Sequence, residues 1–245
     1  CGRRINGTKC NVKHSLYKDS FFFCSKLSLH VLFRLVYFWS IEVTQEVCSR
    51  ELEISEATVS LWYNKLRCVA LMSIVYNNRG KIGGPGTIVE IDECLISRRK
   101  YNRGREHALQ HWIVGGVERE STNFFVSFVE NRNRETLDQL LIDNVLEGTT
   151  IITDCWRSYS GMEERLGFRH MTVNHDQNFV DPITGAHTNT VESFWSIIKR
   201  KLRRHGCNRG DNDAYIGKIY ETQFRRKYKN GVFKQILLEI SCFYQ

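Results

Sequence analysis

The sequence predicts an α/β fold, a mixed sheet with flanking helices, preceded by a small helical domain. Three observations predict it. Apolar residues recur at helical spacing before residue 77, and β-branched runs of strand length follow residue 86 in the order strand, strand, strand, helix, strand. Between them lies Asn77-Asn78-Arg79-Gly80-Lys81-Ile82-Gly83-Gly84-Pro85-Gly86. Five of those residues are glycine or proline, which excludes a helix, so 77–86 reads as a linker between two parts.

Length and composition set the outer bounds. With 245 residues, 42% of them hydrophobic, and two prolines, the chain is globular and long enough for one large core with a small domain attached. Thirty-five Lys and Arg against 27 Asp and Glu leave a net charge of +8, which favours a polyanionic partner. Nine scattered cysteines without a C-x-x-C pair argue against a disulfide scaffold and for a reducing compartment. The longest apolar tract, Phe21 to Trp39, is broken by Lys26, His30 and Arg34, so no membrane span and no membrane partner are expected. No leader is visible; the chain opens on Cys1 rather than Met, and a longer natural N-terminus is expected.

The elements follow in order. Leu29, Leu32, Phe33, Val36 and Trp39 or Ser40 keep helical spacing, and a second helix opens after Thr44. Ser55 caps a third helix with Val59, Trp62, Tyr63, Leu66 and Val69 or Ala70 on one face. Two short helices, a tight turn and a third helix with Ser60, Asn64 and Arg67 on a polar face resemble a helix-turn-helix, whose last helix enters a DNA major groove. The competing reading is a small bundle with an ordinary solvated face. After the linker, strands are expected at Thr87–Asp92, His111–Val117 and Phe124–Val129. A helix over Arg134–Leu146 carries Leu137, Leu140, Leu141 and Val145 on one face, and Thr149–Asp154 is a fourth strand. Such a sheet presents the carboxyl ends of its strands along one edge, where ligands and metals are usually held.

Asp92 and Asp154 each close a β-branched run. One strand-end aspartate is usually a turn or cap residue, but two side by side suit a hard divalent cation. Further on, a helix from about Asn189 carries Glu192 and Lys199 seven residues apart, hence on one face. A carboxylate and an ammonium so placed suit a phosphodiester held across a metal site. Basic runs flank these acids: Arg98, Arg99, Lys100, Arg103 and Arg105, then Lys199, Arg200, Lys201, Arg203 and Arg204. They offset the repulsion between carboxylates and phosphate. Trp156, Tyr159 and Trp195 are candidates to stack on unpaired bases, with core packing the bland alternative. His170, His175 and His187 match no zinc spacing and read as hydrogen-bonded loop histidines.

Several longer motifs stand in one order. They are Val89-Glu90-Ile91-Asp92-Glu93, Arg99-Lys100-Tyr101-Asn102-Arg103-Gly104-Arg105, Thr153-Asp154-Cys155-Trp156-Arg157-Ser158-Tyr159, Asn174-His175 with Asn178-Phe179-Val180-Asp181-Pro182, and Gly185-Ala186-His187-Thr188-Asn189-Thr190-Val191-Glu192-Ser193-Phe194-Trp195-Ser196 with Lys199. Together they resemble the ISXO2-like transposase domain of the IS1595 and Merlin superfamily, particularly its eukaryotic, Merlin-type members. The resemblance covers residues 87 to about 245. It extends more loosely to Lys18-Asp19-Ser20-Phe21-Phe22, to the tract ending in Trp39, and to Thr58-Val59-Ser60 with Trp62-Tyr63.

This resemblance implies a ribonuclease-H-like core of DDE type. Its catalytic, metal-binding acids would be Asp92, Asp154 and Glu192, with Lys199 the basic catalytic residue that follows. Three such acids hold two Mg2+ or Mn2+ ions about 3.5 to 4 Å apart for two-metal phosphodiester chemistry, here cutting transposon ends and joining 3′-hydroxyls to target DNA. The DNA-binding set would be Ser60, Asn64, Arg67, Arg99, Lys100, Arg105, Asn189, Lys199, Arg203 and Arg204, with Asn189 ranked below the three acids. The expected partner is double-stranded DNA, bound by a homo-oligomer, in the nucleus of a eukaryote or the cytoplasm of a prokaryote. The domains would be 1–26, a remnant of a zinc ribbon; 27–76, the helix-turn-helix-like segment; 77–86, the linker; and 87–245, the catalytic domain. Cys1 and Cys10 would be the ribbon's last ligands, but two cysteines cannot close a tetrahedral site, so no metal is assigned there. Two rival readings stand beside this one: a domesticated or inactive transposase-derived protein that binds DNA without cutting it, and a ribonuclease-H-like nuclease that cleaves without strand transfer. Retention of Asp92, Asp154, Glu192 and Lys199 favours activity, whereas the incomplete zinc ribbon allows a degenerate copy.

Overall fold

A computed structural model of the chain describes residues 4–5, 8–9, 17–77, 80–95, 112–174, 180–182, 185–204 and 212–244. In chain order its elements are β1 (Arg4–Ile5), β2 (Thr8–Lys9), α1 (Leu29–Ser40), α2 (Gln45–Leu52), α3 (Glu56–Asn77), β3 (Ile82–Gly83), β4 (Ile88–Leu95), β5 (Trp112–Glu118), β6 (Phe124–Val129), α4 (Arg134–Asn144), β7 (Val145–Leu146), β8 (Thr150–Asp154), α5 (Met162–Leu166), β9 (Arg169–Val173), α6 (Asn189–Arg204), α7 (Asn212–Lys227) and α8 (Val232–Phe243). They form two compact units, Cys1–Ser73 with Tyr228–Gln245, and Ile74–Lys227.

In the first unit α1, α2 and α3 each begin where a hydroxyl accepts an orphan backbone N–H. Ser28 accepts from Val31, Thr44 from Val47, and Ser55 from Thr58. A short turn through Glu53, left-handed at φ 54°, separates α2 from α3. The core is Leu32, Leu35, Val36 and Trp39 of α1, Cys48 and Leu52 of α2, and Val59, Trp62, Tyr63, Leu66, Val69 and Ala70 of α3. The expected apolar face of α3 is thus buried, whereas Leu29 and Phe33, expected on that of α1, are exposed. The sequence reading carried the catalytic domain to residue 245, but α8 packs in this unit against α1. Its apolar stripe Phe233, Ile236 and Ile240 needs a partner surface; Ile236 and Ile240 are buried, and Phe233 meets Tyr37 edge to face with 5.4 Å between centroids.

The second unit is built on a five-stranded sheet of order β6-β5-β4-β8-β9. β4, β5 and β6 are antiparallel neighbours, and β8 and β9 continue the sheet in parallel with β4. This is the ribonuclease-H-like arrangement, a mixed sheet with flanking helices. Alternation along β4 sends its side chains to two different covers. Val89 and Ile91 join Val114, Phe125 and Ile151 in a core closed by Leu137, Leu140 and Leu141 of α4. Glu90, Asp92 and Cys94 belong to the other face, which α6 covers with Val191, Phe194, Trp195 and Ile198. Close approach there depends on Gly115: a Cβ on it would lie 2.6 Å from the Trp195 ring.

Four departures from the sequence reading have physical causes. β4 does not close at Asp92 but runs to Leu95, because Glu93, Cys94 and Leu95 pair with Val114, Ile113 and Trp112 of β5. α4 stops at Asn144 rather than Leu146, since Val145 and Leu146 pair in parallel with Ile82 and Gly83. The glycine-rich stretch read as a linker is therefore partly structured, with Gly83 N–H donating to Glu118 Oε2 at 2.9 Å and Gly84 N–H to Thr149 Oγ1 at 2.8 Å. The fourth departure is β9, a strand the sequence reading lacked. Among the described residues no helix is long and apolar enough to cross a membrane.

Candidate active site

The site forms at the carboxyl ends of β4 and β8. Their parallel register pairs Ile88 with Thr150, Val89 with Ile151 and Glu90 with Ile152, so two residues further on Asp92 stands level with Asp154. One carboxylate oxygen each from Asp92, Glu93 and Asp154 lies within 4.8 Å of the others. Each acid is held by a neighbour. Asp92 Oδ1 accepts from the Glu93 N–H at 2.8 Å, and Asp154 Oδ1 from the Trp156 N–H at 2.9 Å. Glu93 accepts from the buried Tyr159 hydroxyl and lies 3.9 Å from the Arg132 guanidinium.

Crowding of carboxylates in a partly buried place raises their proton affinity. The Asp92 carboxyl is pushed up to about 7, first by burial, then by Glu93, with Asp154 and Glu192 adding to it. Glu93 is also raised, chiefly by burial, while the Tyr159 hydroxyl and Arg132 oppose the shift. Tyr159, buried and beside these acids, is held well above the usual phenol range, so it remains a donor. A set of hard oxygen donors whose mutual repulsion a dication would relieve fits Mg2+ or Mn2+.

Glu192 is supplied by α6, and Glu90 fixes where α6 begins. Glu90 is fully buried on the same strand as Asp92. Its carboxylate accepts from Thr190 N–H at 2.7 Å, Val191 N–H at 3.0 Å and Thr190 Oγ1 at 2.9 Å. It therefore caps the first turn of α6 from the sheet. Arg119 Nε donates to Glu90 at 2.5 Å while its Nη2 donates to the His187 carbonyl at 2.7 Å, and His187 Nδ1 stands 3.4 Å from Glu90. Glu192 itself is exposed in that first turn, accepts from Thr188 Oγ1 at 2.9 Å, and is near enough to raise Asp92.

The expected site residues are thus placed unequally. Asp92 and Asp154 come together with Glu93; Glu192, expected to complete the set, is not one of that group, though it is near enough to raise Asp92. Lys199 is half-buried and hydrogen-bonded to the Cys94 thiol of β4, whose pKa burial nonetheless raises to about 11. Asn189 is exposed at the start of α6, and Arg203 and Arg204 lie in its last turn. On α3, in the other unit, Ser60 and Arg67 are half-buried and Asn64 is exposed, with the Arg67 guanidinium donating to Asn64 Oδ1. Arg98, Arg99, Lys100, Arg103, Arg105, His175, Cys1 and Cys10 lie outside the described residues. His170 is a strand residue, not a loop one; it sits on β9 with Nε2 2.9 Å from Thr153 Oγ1. Sequence reasoning missed Glu90 and Glu93. The signal for Glu90 was an acid two residues before Asp92 in a β-branched run, which puts both on one covered face.

With this geometry in place, the sequence comparison is decisive: the model of the ISXO2-like transposase domain, IS1595 family, matches residues 80–227. The chain belongs to that family. No curated protein matches the chain by sequence. Among solved structures it is similar to the HTLV-2 integrase catalytic core domain in complex with magnesium, in its dimeric form, 20% identical and covering 59% of this chain and 88% of that one at a TM-score of 0.37. It is similar to the catalytic core domain of BIV integrase, 11% identical over 64% of this chain and 98% of that one, TM-score 0.37. A simian T-cell lymphotropic virus intasome in complex with PP2A regulatory subunit B56 gamma is 14% identical over 73% and 68%, TM-score 0.40.

Replacing Glu90 by Ala should cost about 3 kcal/mol of unfolding free energy, because Arg119 and two helix N–H groups lose their buried partner. Urea titration checks it; a loss below about 1 kcal/mol would mean that α6 is held elsewhere. A second expectation concerns pH. Asp92 binds its proton more tightly in the folded chain than in the unfolded one, so between about pH 4 and about pH 7 the folded state holds more protons and stability falls as pH rises. Asp92→Asn removes this term. In chelator, melting temperatures should show the variant gaining on the wild-type chain as pH rises across that window; a pH-independent difference would contradict the raised acid.

Proposed function

We propose that this domain cuts DNA at the ends of a transposable element and joins the 3′-hydroxyl ends to target DNA, with Mg2+ or Mn2+ as cofactor. The observation that carries the reading is the meeting of Asp92, Glu93 and Asp154 at the carboxyl edge of the sheet, beside a helix whose first turn brings Glu192. Asp92, Asp154 and Glu192, with Glu93 next to them, would hold the metal. Bound there, it supplies activation of a water or 3′-hydroxyl and charge stabilisation of the leaving oxygen.

The chain's own residues do the rest. Asp92 gives up its proton when a cation is held. The Trp156 N–H on Asp154 and the Tyr159 hydroxyl on Glu93 fix those carboxylates while leaving other lone pairs for ligands. The Lys199 ammonium and Asn189 contact the DNA backbone along α6, and Arg99, Lys100, Arg105, Arg203 and Arg204 neutralise flanking phosphates. The polar face of α3, with Ser60, Asn64 and Arg67, reads sequence in a major groove. Two element ends must be joined to one target, so the active form is a homo-oligomer on DNA.

Asp92→Asn and Asp154→Asn should each abolish cleavage of labelled duplex with Mg2+ or Mn2+ while leaving duplex affinity nearly unchanged, since the basic surface is intact. Cleavage at the wild-type rate by either variant would refute the mechanism. Binding without any cleavage by the wild-type chain would favour the domesticated, DNA-binding reading instead.

The two DNA contacts separate by specificity. On duplex selected by the wild-type chain from a random pool, Arg67→Ala should lose preference over random DNA by about 1 to 3 kcal/mol, the worth of one good base contact. Lys199→Ala should weaken both duplexes alike and lower the slope of log affinity against log salt by roughly 0.9. Equal losses on both DNAs for Arg67→Ala would leave α3 a packing element.

A further inference from the structure

We propose that the exposed indole of Trp156 is a stacking platform for one unpaired base beside the phosphodiester that is cut. The inference rests on the proposed function and deepens it, because it states the form of DNA the site takes: a nucleotide out of its helix.

Three aromatic residues sit near the acids in sequence, and burial separates them. Tyr159 and Trp195 are each 2% exposed, the first bonded to Glu93 and the second packed over Gly115. Trp156 is 42% exposed. It is also fixed in place. Its backbone N–H donates to Asp154 Oδ1 at 2.9 Å, and its carbonyl accepts from the Tyr159 N–H at 3.0 Å. The main chain that carries the indole is therefore tied to a carboxylate of the site.

One side of the ring is backed by charge. The Arg132 guanidinium lies over the Trp156 ring at 4.7 Å and over the Trp112 ring at 3.5 Å from their centroids. It also lies 3.9 Å from Glu93, and Ser158 Oγ ties the Arg132 carbonyl at 2.9 Å to the segment that follows Asp154. Such a stack restricts the Trp156 side chain before any ligand arrives, which lowers the entropy lost on binding.

The chemistry of the surroundings selects the occupant. A phosphate placed against Glu93 and Asp154 is repelled unless a cation lies between, whereas a base is neutral and flat and gains by covering an exposed indole. Within a duplex both faces of each base are already covered by neighbours, so only an unpaired or extruded base can offer one. Stacking of this kind tolerates any base, which suits a position next to the cut rather than one that reads sequence.

The test uses the full chain with Ca2+ in place of Mg2+ and fluorescent duplexes that are blunt, forked by a few unpaired nucleotides, or forked with abasic arms. The wild-type chain should bind the forked duplex more tightly than the blunt one. Trp156→Ala should reduce that preference about tenfold with blunt-duplex affinity unchanged, Trp156→Phe should keep most of it, and abasic arms should lower wild-type binding to the level of Trp156→Ala. The proposal is overturned if Trp156→Ala keeps the wild-type ratio of forked to blunt affinity. It is equally overturned if the wild-type chain binds abasic and base-bearing forks alike, a measurement that needs no variant to fold. A wild-type chain that binds no DNA in any form overturns the proposed function as well, whereas binding with no fork preference overturns the platform alone.

Discussion

The bond between the buried Glu90 carboxylate and the first turn of α6 is the constraint on which the site depends. A charge removed from water is costly unless several donors meet it. Glu90 is met by two backbone N–H groups, a threonine hydroxyl and Arg119. Because two of those donors belong to a helix terminus, satisfying the charge also decides where the helix starts. Asp92 lies two residues along the same strand and Glu192 one residue beyond Val191. One electrostatic requirement therefore ties together acids a hundred residues apart in the chain. Trp195 over Gly115 is a second anchor for α6, made by packing rather than charge.

At its far end the same strand sets up the opposite electrostatic condition. Glu90 has enough donors, while Asp92, Glu93 and Asp154 crowd one another with fewer. Glu93 belongs to the face of Val89 and Ile91, and Asp92 to the face of Glu90, yet both contribute an oxygen to one cluster at the carboxyl edge. Arg132 and Tyr159 reach the cluster through Glu93 and moderate it without neutralising it, since Asp92 still titrates near 7. The helical face reinforces the arrangement differently: Lys199 bonds to Cys94, one alternation beyond Asp92, so its ammonium stays close to the acids.

Much of this was legible in the sequence where one physical rule acts locally. Helices α1 and α3 carried apolar periodicity, Thr44 and Ser55 marked the starts of α2 and α3, and β4, β5, β6 and β8 stood out as runs of strand length, β4 and β8 β-branched. Asp92 and Asp154 could be paired because each follows such a run at the same depth, and parallel pairing then makes them level. What stayed hidden depended on partners distant in the chain. Arg169–Val173 alternates poorly and is partly exposed at a sheet edge, so its own pattern does not announce a strand; β8 supplies the reason for it. The extension of β4 past Asp92 is caused by β5, and the loss of the last turn of α4 by Ile82 and Gly83. Glu90 looked like one acid in a motif, and only the arrival of α6 makes it a cap.

The aromatic residues show the same limit from another side. Trp156, Tyr159 and Trp195 are all aromatic and each lies within about five residues of an acid of the site, yet they do different work because burial divides them. Trp195 fills the space Gly115 leaves, and Tyr159 spends its hydroxyl on Glu93. Trp156 does neither, and its backbone is committed to Asp154. Exposure of a large clamped ring and repulsion among half-buried acids are both unfavourable for the isolated chain. That the ring and Asp154 lie within three residues of each other places both costs at one edge of the sheet. A cation between the acids would relieve the first cost and a flat base over the ring the second, and an extruded nucleotide whose phosphate meets that cation would supply the base.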